Sequence, residues 1–130
     1  MNSTPVPELA ARSKAAARLM AKASTADKNE ALLTAADMLE ERETELTTAN
    51  GTDVGSAEAN GIAAGLVDRL RLTPQRVKAM ADGLRQVAAL ADPVGEVLDG
   101  WVRPNGLRIS RVRVPLGVVA IIYESRPNVT

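Results

Sequence analysis

Residues 114–130 read VPLGVVAIIYESRPNVT, and the apolar run inside that stretch decides the fold class. Val118, Val119, Ala120, Ile121, Ile122 and Tyr123 follow one another without alternation. That is the pattern of a strand covered on both faces in a parallel sheet. Glu124, Ser125, Arg126, Pro127 and Asn128 then fall at its carboxyl end, the edge of an open α/β sheet at which ligands bind. Charged and amide side chains placed there read as a site, in a sheet whose other strands these residues do not supply.

Immediately upstream the pattern is also strand-like. Asn105-Gly106 is the dipeptide favoured in a two-residue type I′ turn, predicting a hairpin of residues 98–103 with 107–114. Pro104 beside the turn marks an edge. Leu107 and Ile109 share one parity and Val112 and Val114 the other, so the inward face switches near Ser110-Arg111, and a bulge there bends the strand between two packing environments.

Everything before the hairpin reads as helix. Leu9, Ala16, Ala17 and Met20 give a first amphipathic helix over about 7–23. Ser24 with Asp27 resembles a capping box and opens a second, through Leu32, Leu33, Ala36, Leu39 and Leu46. Glu40, Glu41, Glu43 and Glu45 crowd its later turns, unfavourably for the helix dipole, as an exposed face. Asn50-Gly51 is predicted to end that helix, leaving 52–65 as one short helix plus turns. Gly61 and Gly65 follow no strand and precede no Lys, so they are not a phosphate loop. Leu66, Val67 and Leu70 form another short apolar turn. Thr73-Pro74 is a strong start signal, after which Val77, Met80, Leu84 and Val87 make one stripe, stopped by Asp92-Pro93.

Composition limits what such a chain does. The 130 residues fit one domain, yet aromatics are 2% of them, Trp101 and Tyr123, and Ala dominates the apolar fraction. Each buried side chain therefore contributes little area, and the helices are expected to pack on something further. Sixteen basic and sixteen acidic residues cancel, which excludes general nucleic-acid or anionic-membrane binding; Arg103, Arg108, Arg111 and Arg113 lack the stacking aromatics of a nucleic-acid site. The last thirty residues nevertheless hold five Arg against Glu124 alone, a balance suited to an anionic small molecule. There is no Cys and no His, hence no disulfide, no thiolate or imidazole nucleophile and no Cys/His metal site in these residues. Without a signal-peptide pattern or a run long enough to span a bilayer, a cytoplasmic location is expected.

The run DRLRLTPQRVKAMADGLRQVAALADPVGEVLDGWVRPNGLRISRVRVPLGVVAIIYESRPNVT, residues 68–130, resembles the γ-glutamyl phosphate reductase (glutamate-5-semialdehyde dehydrogenase) family of the aldehyde dehydrogenase superfamily. The resemblance implies an α/β fold of which this is the amino-terminal part: helices of the cofactor-binding domain (1–97), a β-hairpin arm that joins subunits into a homo-oligomer (98–114), and the first strand and loop of a parallel nucleotide-binding sheet (115–130). It implies NADPH-dependent reduction of an acyl phosphate, L-glutamate 5-phosphate, to the semialdehyde with release of phosphate, a step of proline biosynthesis. By the same resemblance Asn128 is the oxyanion-stabilising amide, and Tyr123, Glu124, Ser125 and Arg126 lie where the cofactor is touched. Whether Arg126 pairs with a phosphate of the cofactor or of the substrate stays open. The family's nucleophilic Cys and the rest of the cofactor sheet fall outside these residues, so the chain by itself is expected to be inactive. A non-catalytic assembly module built from the same helices and arm is the alternative.

Overall fold

The computed structural model describes residues 4–123 and 126–129. Along the chain come five α-helices, α1 (Val6–Met20), α2 (Thr25–Glu41), α3 (Glu43–Ala59), α4 (Ala64–Leu70) and α5 (Pro74–Ala88), then strands β1 (Val97–Val102) and β2 (Arg108–Val112) and a 3₁₀ turn, Pro127–Val129. They fall into two compact units, Ala26–Leu90 with Ile121–Thr130, and Met1–Thr25 with Ala91–Ala120.

The first of these units holds the core. Its buried apolar side chains are Ala36 on α2, Val54 on α3, Val67 on α4, and Val77, Ala81 and Ala88 on α5. All are Ala or Val, so the helices approach closely but each contact removes little area from water. Helix α5 begins as the sequence predicts: the Thr73 side-chain oxygen accepts the Arg76 amide at 3.2 Å, and Pro74 takes the first helical position, where a missing N–H is harmless.

Two expectations for the earlier helices are corrected. The second helix does not run through Leu46; it breaks at Arg42, whose backbone (φ −101°, ψ 17°) leaves the helical region while Arg42 N–H still reaches the Met38 carbonyl and Leu46 N–H the Arg42 carbonyl. Glu43 and Glu45 consequently lie in the first turn of α3, where the helix dipole favours acid. Nor does Asn50-Gly51 stop the chain. Helix α3 passes straight through it and ends ten residues on, where Gly61 takes φ +71°, its N–H bonded to the Glu58 carbonyl and that of Ile62 to the Ala57 carbonyl. This paired closure is a Schellman motif, which needs the left-handed residue that Gly51 does not provide.

Asn50 is instead the buried polar residue of the core. Its amide donates to the Leu70 carbonyl at 2.9 Å and its oxygen accepts the Leu72 N–H at 2.6 Å. One side chain thus satisfies the backbone where α4 gives way to the α5 cap.

In the other unit α1 buries no side chain, and the hairpin carries the structure. Its antiparallel register pairs Trp101 with Ile109 and Val102 with Arg108. The loop is three residues, not two: Arg103 N–H donates to the Leu107 carbonyl, Gly106 N–H to the Arg103 carbonyl, and Gly106 has φ +84°. A two-residue turn would make Pro104 the closing partner of Leu107, and Pro has no N–H to give. The bulge is also displaced. It lies on β1, where Leu98 is the extra residue between the pairs Val97–Val112 and Asp99–Arg111, directly across from the predicted Ser110-Arg111 switch. A side chain on Gly100 would come to 3.0 Å from the Ile109 carbonyl oxygen, so only glycine fits there without adjustment.

Arg113 still bonds across the hairpin, its N–H to the Glu96 carbonyl and its carbonyl to the Gly95 N–H, but residues 114–123 form neither helix nor ladder here. The predicted strand over 117–123 therefore does not form here, and Leu116 is 92% and Ile122 100% exposed. A strand needs a neighbouring strand for its N–H and C=O groups, and among the described residues the only ladder is that of β1 with β2.

Candidate functional site

The 3₁₀ turn Pro127–Val129 packs against α5 and is closed by the Val129 N–H on the Arg126 carbonyl at 3.1 Å. Together they edge a trough of about 1090 Å³ in the helical unit. Met38 and Leu39 of α2, Leu46 of α3, and Met80, Leu84 and Val87 of α5 give it an apolar floor. Its rim is basic, with Arg42, Arg69, Arg71, Arg76 and Arg126 against Glu45 and Asp68.

Three of these guanidinium groups are held. Arg42 pairs with Glu45 at 2.9 Å and Arg71 with Glu58 at 3.0 Å. Arg76 pairs with Asp68 at 3.0 Å and also donates to the backbone carbonyls of Arg71 and Asp68, fixing the chain between α4 and α5. Arg69 and Arg126 make no ion pair among the described residues.

A second cluster fixes α2 on α5. Arg85 reaches Asp37 at 2.8 Å, Glu40 at 2.7 Å and Asp82 at 3.4 Å, and Lys78 holds Asp82 at 2.8 Å. The Arg85 hydrogen bond keeps the Glu40 carboxyl below its ordinary 4.5. The Lys78 hydrogen bond, with Arg85 adding to it, keeps Asp82 below 3.8, and the hydrogen bonds to Glu40 and Asp37 push Arg85 further up. The shifts of Glu40, Asp82 and Arg85 all favour their charged forms, so the cluster reads as a structural tie.

Among the described residues no group of acids could hold a metal ion, and no helix is long and apolar enough to cross a membrane.

No family model matches the chain. Individual relatives do. It is 56% identical over 123 residues to a γ-glutamyl phosphate reductase of Mesorhizobium japonicum, 56% over 119 residues to one of Syntrophomonas wolfei, and 54% over 123 residues to one of Brucella anthropi. These matches cover 92–95% of the chain but only 28–29% of each relative. The crystal structure of the Saccharomyces cerevisiae γ-glutamyl phosphate reductase superposes with a TM-score of 0.87 at 29% identity, over 98% of this chain and 33% of that one. The Thermotoga maritima enzyme gives 0.78 at 44% identity, over 82% and 26%. The relatives are γ-glutamyl phosphate reductases. The helices and hairpin accordingly share the aldehyde-dehydrogenase-like fold of the matched part of those enzymes, as the resemblance of residues 68–130 implied.

Of the site residues singled out in the reductase-like run, Arg126 and Asn128 are exposed on the lip of the trough and Tyr123 is 46% exposed. Glu124 and Ser125 lie outside the described residues. Asn50, Arg76 and Arg85 were not anticipated. Asn50 carries a sequence signal that points elsewhere, since Asn-Gly reads as a helix stop. Arg76 and Arg85 sit among other charges on a helix, and only their partners distinguish them.

Proposed function

We propose that this chain is part of a reductase that converts L-glutamate 5-phosphate to L-glutamate 5-semialdehyde and phosphate with NADPH. The support is the 56% identity to γ-glutamyl phosphate reductase over 95% of the chain. In this reading Asn128 directs its side-chain N–H at the oxygen that becomes negative when the acyl carbon turns tetrahedral, a stabilisation of about 3–4 kcal/mol for a preorganised donor. Arg126, an exposed guanidinium with no carboxylate partner among the described residues, suits a phosphate by two-point hydrogen bonding, and Tyr123, Glu124 and Ser125 lie beside it in sequence, on the cofactor side. The hairpin of β1 and β2 is the arm that joins subunits.

NADPH would supply the hydride. The described residues do not by themselves form a dinucleotide cradle, because residues 117–122 lie in no sheet, so no hydride step is assigned to atoms of this chain. The nucleophile is absent too, since the chain has no Cys and no other group here replaces a thiolate.

The test is a chimera in which these 130 residues replace the matching segment of the Mesorhizobium relative, assayed by NADPH oxidation with L-glutamate 5-phosphate. The chimera is expected to turn over, and the isolated chain to give no rate above a no-protein control. Asn128→Ala in the chimera is expected to lower kcat by about 100-fold or more with a smaller change in KM. An unchanged kcat with a raised KM would remove Asn128 from the oxyanion role, and an inactive chimera that folds would remove the reductase reading.

A further inference from the structure

Asn-Gly occurs at Asn50-Gly51, Asn60-Gly61 and Asn105-Gly106, and the fold gives the three side chains different company. Glycine leaves its own nitrogen unscreened, so each dipeptide brings a side-chain amide beside a sterically open backbone nitrogen. Asn50 is buried within α3, with its amide committed to the Leu70 carbonyl and its oxygen to the Leu72 N–H. Asn60 is exposed, but its amide turns back to the Ser56 carbonyl at 2.8 Å, away from Gly61. At Asn105 the direction is reversed. Its oxygen accepts the Leu107 N–H at 3.2 Å, an Asx turn that folds the side chain forward over Gly106.

We propose that Asn105 is a self-modification site, at which the Gly106 nitrogen displaces ammonia from the side-chain amide and leaves an aspartyl or isoaspartyl residue at the tip of the hairpin. The step balances without a cofactor or an oxidant. The Gly106 nitrogen gives its proton to a buffer base and bonds to Cγ of Asn105; the Cγ–Nδ2 bond breaks, and Nδ2 takes up a proton and leaves as ammonia. Water then opens the five-membered imide. Cleavage at Cγ gives the aspartyl product, and cleavage at the main-chain carbonyl gives the isoaspartyl product, which adds one carbon to the main chain of the loop. The forward fold brings the reacting carbon to the nitrogen that attacks it. The Leu107 N–H lies on the oxygen that becomes negative when that carbon turns tetrahedral. Asn105 is exposed, and nothing lies within 4 Å of an added Cβ on Gly106, so the ring has room to close. One bond must open first, that of the Gly106 N–H to the Arg103 carbonyl at 2.9 Å. It belongs to the exposed end of a two-stranded ribbon, where opening costs little, whereas Gly51 is held inside α3 and Gly61 in the paired closure of that helix. The chemistry draws nothing from the reductase reading, only from the loop.

The experiment ages the chimera described above, which carries the loop in a polypeptide of full length, at mildly basic pH, both folded and in guanidinium chloride. Peptides around the three asparagines are followed by mass spectrometry and by an isoaspartyl-specific methyltransferase. In the folded protein Asn105 is expected to convert about tenfold faster than Asn60 or more, with Asn50 slower still. In denaturant the three should converge to within about threefold, because the orienting hydrogen bonds are gone. Gly106→Ala, which crowds the attacking nitrogen, is expected to slow conversion at position 105 by about tenfold or more and to leave Asn60 unchanged. Equal rates in the folded protein, faster loss at Asn60, or an Asn105 that survives folded ageing overturns the proposal. So does the same order of rates in denaturant, which would trace it to sequence alone. The readout is covalent, so it holds whether or not the chimera turns over.

Discussion

Asn50-Gly51 and Asn60-Gly61 are the same dipeptide within one helical stretch, and the backbone treats them oppositely. Gly61 sits at φ +71° with open space around its Cα, and Gly51 lies inside α3, also with nothing within 4 Å of an added Cβ. Gly51→Ala should therefore stabilise the fold by about 0.5–1 kcal/mol, because the helix interior penalises glycine. Gly61→Ala should destabilise it by about 1–2 kcal/mol, the cost of a left-handed alanine. Urea denaturation of the two variants checks the pair, and the opposite order would put the helix end back at Asn50. Local sequence could not distinguish them. What holds α3 through Asn50 is a pair of hydrogen bonds to Leu70 and Leu72, twenty residues and more away, and such partners leave no trace in a window of neighbours. Thr73-Pro74 was legible for the converse reason: its cap is made with Arg76, three residues on.

At the level of elements, the tie between α2 and α5 should set an acid limit on the helical unit. Glu40 and Asp82 are both held below their ordinary values of 4.5 and 3.8. Groups depressed in the folded state stabilise it fully above those ordinary values, and the contribution is lost as pH falls through the lower folded-state values. The melting temperature should thus be flat with respect to these groups from neutrality to about pH 5 and fall below it. Arg85→Gln should flatten that acid limb, since it removes the first cause of the Glu40 shift. Equal slopes in the two proteins would dissociate the cluster from stability. The element boundaries show how far the pattern carried. The hairpin was readable because Asn105-Gly106 lies between two apolar runs, yet Pro104, read only as an edge marker, moved the closing pair to Arg103 and Leu107. The break at Arg42 has no breaker residue, and the crowding of Glu40, Glu41, Glu43 and Glu45 made sense only once the second pair opened a new helix.

For the molecule as a whole, the order of helices, hairpin and apolar segment was legible, and the comparisons with γ-glutamyl phosphate reductases agree with it. The trough was not. Its floor combines α2, α3 and α5, and a stripe on one helix does not reveal which other stripe it faces. The segment 117–123 illustrates the complementary case: its sequence specifies a covered strand, yet it joins no sheet here, because pairing is a property of neighbours. The two compact units also differ in what supports them. Every buried side chain identified lies in Ala26–Leu90, while the unit with the hairpin relies on ladder bonds and exposed ion pairs such as Arg113–Glu96. A two-stranded ribbon without a covered face is marginal in water. Trp101 is the single tryptophan and belongs to that ribbon. Indole emission will report the fraying of β1 and β2 and stay blind to the helices that dominate the far-ultraviolet dichroism. The two optical melts should not superimpose, the emission midpoint falling at the lower temperature, and a two-state fit to either signal alone would misstate the stability of the chain.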